Sequence, residues 1–175
     1  TGTWAGRPES IDETAELVTA HGGVGIAVRV DHTVDDEVAA LFARVRRDHG
    51  RLDVLVNDIS GGEVPWAPFW ELPVGQALEL VHGGVIAHLL TSRHAAPLMI
   101  ERRRGLIVEV TELDSLAPHL NAWGDLAKTA AKRFAFAMAE ELHPHGVAAV
   151  AITPGFMRTE AVLDHFGATG ATWRE

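Results

Sequence analysis

Four short apolar runs in this sequence end in residues that can hold a ligand or move a proton. They close on Asp31, on Asn57 followed by Asp58, on Thr111-Glu112, and on Pro154-Gly155. In an open parallel sheet the ligand lies beyond the carboxyl ends of the strands, so residues at four such ends converge on one crevice. Carboxylates and a hydroxyl gathered there can accept hydrogen bonds from sugar hydroxyls or exchange protons with a substrate. Other chemistries are closed. The chain has no cysteine, which removes thiolate nucleophiles and thiolate metal sites, and no tyrosine, which removes the phenol as an acid or base. The histidines show no metal-ligand spacing; His143 and His145 stand near a helix end, where a cationic ring favours the helix dipole.

The elements that must position these residues can be read from period and punctuation. Ser10 followed by Glu13 is a capping box, and Ile11, Ala15, Leu17 and Val18 form a helical stripe that stops at Gly22-Gly23. The run Gly22-Gly23-Val24-Gly25 is a helix C-cap on this reading, since it follows a helix and precedes a strand. Val24–Val30 is β-branched and reads as a strand; Thr33 then caps a helix carrying Val38, Leu41, Phe42 and Val45, which ends at His49-Gly50. Val54–Val56 reads as a buried strand. Gln76–Arg103 is a long helix, Leu106–Val110 a strand, Lys128–Leu142 a helix and Val147–Ile152 a strand. The alternation of strands and helices implies βαβ units and a parallel sheet.

Composition bounds the rest. At 175 residues and 47% hydrophobic, the chain is expected to form one domain spanning residues 1–175. Lys and Arg number 15 against 24 Asp and Glu, for a formal charge of -9, which argues against nucleic acid or an anionic membrane as the partner. No apolar run nears the ~18 residues of a membrane span, and no signal peptide is visible, so a cytoplasmic protein is expected. Glu109 is odd inside an apolar strand, and an arginine is its expected partner. Arg102-Arg103-Arg104 reads as a solvated helix end, Asp125 as an i, i+3 neighbour of Lys128, and Trp66 and Trp70 as lid or core contacts over the cleft.

Two stretches carry a resemblance that spans nearly the whole chain. Gly50-Arg51-Leu52-Asp53-Val54-Leu55-Val56-Asn57 is similar to the lead into the Asn-Asn-Ala-Gly motif of the short-chain dehydrogenase/reductase family. Ala139–Gly146, followed by Val147 through Pro154-Gly155 to Thr159, is similar to that family's late strand and Pro-Gly loop. The resemblance implies a Rossmann-type doubly wound α/β sheet, NAD or NADP as cofactor, a small alcohol or carbonyl as substrate, and a homo-oligomer. It places Asp31 beside the adenine, Asn57 at the central strand end, and Pro154, Gly155 and Thr159 toward the nicotinamide. Lys128 matches the lysine of Tyr-x-x-x-Lys, which holds the ribose and lowers the pKa of the tyrosine. In the family a serine polarises the carbonyl; here that position falls on Thr111 or Glu112.

The departures are specific. Gly124 stands where the tyrosine is expected, Asp58 replaces the second Asn, and Gly84 replaces a helix asparagine. No Thr-Gly-x-x-x-Gly-x-Gly loop is present, so these residues are expected to hold NAD(H) or NADP(H) weakly or not at all. The chain reads as beginning after the family's second strand and stopping before its last. In the family's order, two strands then separate Val24–Val30 from Val54–Val56. The open edges must be met by further residues, by a second copy, or by Val24–Val30 moving against Val54–Val56. Several functions stay open: an oxidoreductase homologue not competent in hydride transfer, or a lyase, cyclase or isomerase using Asp58, Thr111, Glu112 and Lys128. A binding protein, or part of a longer active oxidoreductase, is also consistent with the residues.

Overall fold

The computed structural model describes residues 10–60, 62, 67–112, 120–155, and the positions 157, 159, 163, 167–169 and 172. Trp66, His119, Arg158 and His165 lie outside the described residues. Ser10 caps α1 (Ile11–Ala20) by accepting from the Glu13 amide at 3.2 Å, and His21 closes it. The second helix, α2 (Asp35–His49), ends as expected on Gly50 in a left-handed conformation, φ 69°. Its start differs from the expectation. The cap position is Val34, without a side-chain bond, because the Thr33 hydroxyl and amide both donate to Asp31 Oδ1. Glu37 reaches back instead, and its Oε2 accepts from the Asp31 amide at 2.7 Å.

Three strands make the sheet: β1 (Val54–Asn57), β2 (Gly105–Val110) and β3 (Val147–Ile152), all parallel in the order β1-β2-β3. Between β1 and β2 the chain is helical from α3 (Val74–Val81) through a π turn (His82–Ile86) into α4 (Ala87–Ile100). The fifth helix, α5 (Ala122–Leu142), connects β2 to β3 through a 3₁₀ turn at His143–His145. It begins six residues before the expected Lys128, since Asn121 Oδ1 accepts from the amides of Trp123 and Gly124 and so offsets the poor helix formers there. This is a Rossmann-type α/β fold. Two βαβ crossovers put α4 and α5 on one face of the sheet, with Met99, Ile107, Met138, Leu142, Val147 and Ala149 as the main core. A second cluster of Val38, Phe42, Ala95 and Leu98 joins α2 to α4. The opposite face of the sheet is open at Val54, Val56, Val150 and Ile152, which corrects the reading of Val54–Val56 as a buried strand: helices cover one face of β1 only.

Val24–Val30, expected as a strand, joins no ladder among the described residues. A strand is made by its neighbours, and strand-favouring residues without a partner strand cannot form one. The segment turns back on α1 instead: the Gly25 amide donates to Thr19 Oγ1, and a Cβ on Gly25 would sit 2.0 Å from the Ala15 carbonyl oxygen. Of the three ways of meeting the open edges, the one in which this segment sits directly against β1 is overturned. No described helix is long and apolar enough to cross a membrane.

Candidate functional site

The strand ends open onto two hollows that share a wall. A small one of about 30 Å³, room for one or two waters, is bordered by Val110, Gly84, Gly124, Ala127 and Lys128. A broad one of about 970 Å³ is bordered by Asp31, His32, Thr33, His82 and Gly83. Ile59, Ser60 and Gly62, just past β1, border both.

Thr111 and Glu112, at the end of β2, both meet Lys128, which borders the small hollow. The Lys128 ammonium lies 3.4 Å from Glu112 Oε1, so its partner is the strand end and not Asp125. Thr111 is buried, and its hydroxyl donates to the Lys128 carbonyl at 2.8 Å, tying the second turn of α5 to the end of β2. Occupied in this way, the hydroxyl does not point a free O–H at the hollow. Gly124, buried, borders the same hollow one helical turn before Lys128. Across it, the π turn brings Gly84 so close to α5 that a Cβ there would stand 3.0 Å from the Ala127 Cβ. A π turn carries one extra residue and is frequent at functional sites.

Asp31 and Asn57 are placed differently from each other. Asp31 is exposed on the rim of the broad hollow, and the Thr33 hydroxyl and amide hold its carboxyl below the usual range. Asn57 is buried, with its side chain turned under β1. Asp58 is exposed and borders neither hollow. Pro154, Gly155 and Thr159 are exposed beyond β3, Gly155 with φ 72°, and they too border neither. Trp70 is 71% exposed and edge-on to Phe69, which corrects the expectation of a core contact.

Under β1 lies a polar cluster of which the sequence reveals Asn57 and Glu109 but not their partners. Glu109, fully buried, pairs with His88 rather than with an arginine: His88 Nδ1 stands 2.5 Å from Glu109 Oε2. Asn57 faces Glu109 across the ladder, and its Nδ2 donates to Glu109 Oε1 at 2.8 Å and to Ser92 Oγ at 2.9 Å. Thr91 Oγ1 donates to Asn57 Oδ1 at 2.7 Å. The signal that could have found this is a helical stripe of small and polar residues, His88, Thr91, Ser92 and Ala95, at core spacing opposite a strand carboxylate.

His32 adds a pH dependence. Its Nδ1 is buried with no hydrogen-bond partner among the described residues, and burial lowers its pKa, opposed by the Asp31 carboxylate and reinforced by His88. Arg29, Glu37, Glu79 and His82 border the same hollow. Because the folded pKa is depressed, the unfolded chain takes the proton first as pH falls through about 6.5, and stability is lost there. Urea midpoints should fall between pH 7.5 and 5.5. His32→Asn should flatten that fall; an equally steep fall in the variant would assign it to other histidines.

The family model for short chain dehydrogenases matches residues 3–166. The Dehydrogenase/reductase SDR family member 1 of Mus musculus is 34% identical over 162 residues, covering 89% of this chain and 52% of that protein. The chain thus spans about half the length of the curated relatives it matches first. Among solved structures, a metagenomic short-chain oxidoreductase in complex with NADP aligns with a TM-score of 0.78 at 26% identity, covering 90% of this chain and 72% of that one. A 7 alpha-hydroxysteroid dehydrogenase complexed with NADH and 7-oxo glycochenodeoxycholic acid aligns with a TM-score of 0.78 at 25% identity, covering 88% and 60%.

Proposed function

The chain belongs to the short-chain dehydrogenase/reductase family, and from that premise we propose that it is an oxidoreductase homologue with an NAD or NADP site that lacks the proton donor for hydride transfer. The observation that carries this is Gly124, which borders the hollow one helical turn before Lys128 where the family has its tyrosine.

The residues present fit a dinucleotide in part. The broad hollow is of ligand size, and the Asp31 carboxylate on its rim can accept hydrogen bonds from the hydroxyls of an adenosine ribose. Asp31 would meet that end, Asn57 would hold the strand end between, and Pro154, Gly155, Thr159 and Lys128 would meet the nicotinamide half. The cofactor, when bound, supplies or takes the hydride. A carbonyl that receives hydride must also receive a proton, and nothing at Gly124 gives one. The adjacent Trp123 carries an indole N–H, which does not exchange as an acid at working pH, and it donates to the Phe69 carbonyl. Lys128 is paired with Glu112, and Thr111 is tied to the backbone. Loss of a positioned acid lowers turnover by about 10²–10⁴-fold.

The test is NADH- and NADPH-dependent reduction of a panel of small ketones and aldehydes, together with calorimetry for both cofactors. Turnover is expected to be undetectable, and dinucleotide affinity weaker than micromolar. Turnover of even about 1 s⁻¹, an ordinary enzyme rate, would overturn the reading.

A second reading is favoured by the Lys128–Glu112 pair, an acid and a base on one rim, which a lyase, cyclase or isomerase could use on a small-molecule substrate. Assembly into a homo-oligomer belongs to both readings, supported by the exposed Val54 and Val56 on the edge strand.

A further inference from the structure

The two hollows share a wall, and among the described residues the His88 side chain bonds to it. Ile59 and Ser60 separate the Asp31 hollow from the Lys128 hollow. The Ile59 carbonyl lies 2.8 Å from His88 Nε2. A carbonyl can only accept, so Nε2 carries a hydrogen and donates it. The other ring nitrogen faces Glu109 Oε2 at 2.5 Å, and a single proton lies between them. Wherever that proton sits, Nε2 still donates to Ile59, and the pair has no net charge. Glu109 is itself fixed by Asn57 and Ser92 from the neighbouring strand and from α4. The wall is thus anchored to the middle strand of the sheet through two side chains, 3% and 0% exposed.

We propose that His88 is a positioning residue: steered by Glu109, it clamps the Ile59 carbonyl and so sets the passage between the adenosine-sized hollow and the Lys128 hollow. This rests on the dinucleotide reading above. A ligand that spans both hollows depends on the clamp. A ligand that fills only the Asp31 side does not.

The experiment compares wild type, Glu109→Gln and the double variant His88→Leu with Glu109→Val. The double variant removes both members of the pair, so no unpaired charge stays buried and the fold is kept. Glu109→Gln leaves an amide N–H to donate to His88 Nδ1, and Nε2 continues to hold Ile59. Calorimetric titrations with NADH and with AMP give the advantage of the dinucleotide over the mononucleotide; hydrogen exchange over Asn57–Ser60 reads the wall without ligand. Wild type and Glu109→Gln should share one NADH-to-AMP ratio. In the double variant that ratio should fall by about tenfold with AMP unchanged, and the Asn57–Ser60 amides should exchange about tenfold faster. A folded double variant that keeps both the ratio and the protection overturns the clamp. If wild type itself shows no preference for NADH over AMP, the dinucleotide reading fails, and hydrogen exchange alone decides for or against the clamp.

Discussion

Replacing His88 alone by leucine should remove about 3–5 kcal/mol of stability, the range for breaking a buried ion pair from one side. Glu109 has no exposure, and in that variant it would keep only the Asn57 amide and the Ser92 hydroxyl as partners. Two neutral donors replace little of what an imidazole supplies on the far oxygen, because a charged group taken out of water needs compensation on all sides. Leucine also leaves the Ile59 carbonyl without its donor. Glu109→Gln should be far milder, about 1 kcal/mol, since it keeps shape and still offers a hydrogen bond to His88. Urea unfolding of the two single variants measures the difference. A loss below about 1 kcal/mol for His88→Leu would mean that the pair is not buried as an ion pair.

Gly124→Tyr, which puts the phenol back, should leave cofactor-dependent carbonyl reduction undetectable and cost about 1–3 kcal/mol of stability. The hollow in front of Gly124 has about 30 Å³ of free space, enough for one or two waters and far less than a phenol. A tyrosine must therefore displace the Lys128 side chain or press on the π turn at Gly84, where a Cβ from α5 already comes close. Moving Lys128 also breaks its 3.4 Å contact with Glu112 and takes away the cation that would acidify the new phenol. Steady-state kinetics with NADH and NADPH and a small ketone would settle it. Turnover within tenfold of an ordinary rate of about 10 s⁻¹ would show that only the phenol was missing.

The parts of this fold that depend on neighbouring residues were legible in the sequence; those that depend on distant ones were not. Val147–Ile152 and Leu106–Val110 read as buried strands from unbroken apolar runs, and both are strands, but Val147–Ile152 is covered on one face only, with Val150 and Ile152 exposed. Gly50 read as a helix stop because a left-handed residue is required there. Val24–Val30 has equal strand character and forms none, because pairing needs a partner that local pattern does not reveal. Glu109 was conspicuous, but its partner was not. His88 lies with Thr91, Ser92 and Ala95 on one stripe of α4, which shows a polar face at core spacing but not which strand carboxylate that face will meet. At the site, the meeting of Lys128 with Glu112 joins a strand end to a helix sixteen residues later, a distance fixed by the crossover and not by spacing.

The open face of the sheet has a thermal consequence. Val54, Val56, Val150 and Ile152 keep 40–57% of their surface in water although the fold is formed. The apolar surface hidden on folding sets both the slope against denaturant and the rise in heat capacity on unfolding. With one face of the sheet wet, a single copy of the chain hides less than its length suggests, and its heat-capacity change per residue falls below the usual ~12–15 cal/mol/K. A smaller heat-capacity change flattens the curve of stability against temperature, so warming and cooling alter this domain's stability less than they alter that of a fully covered sheet of the same size.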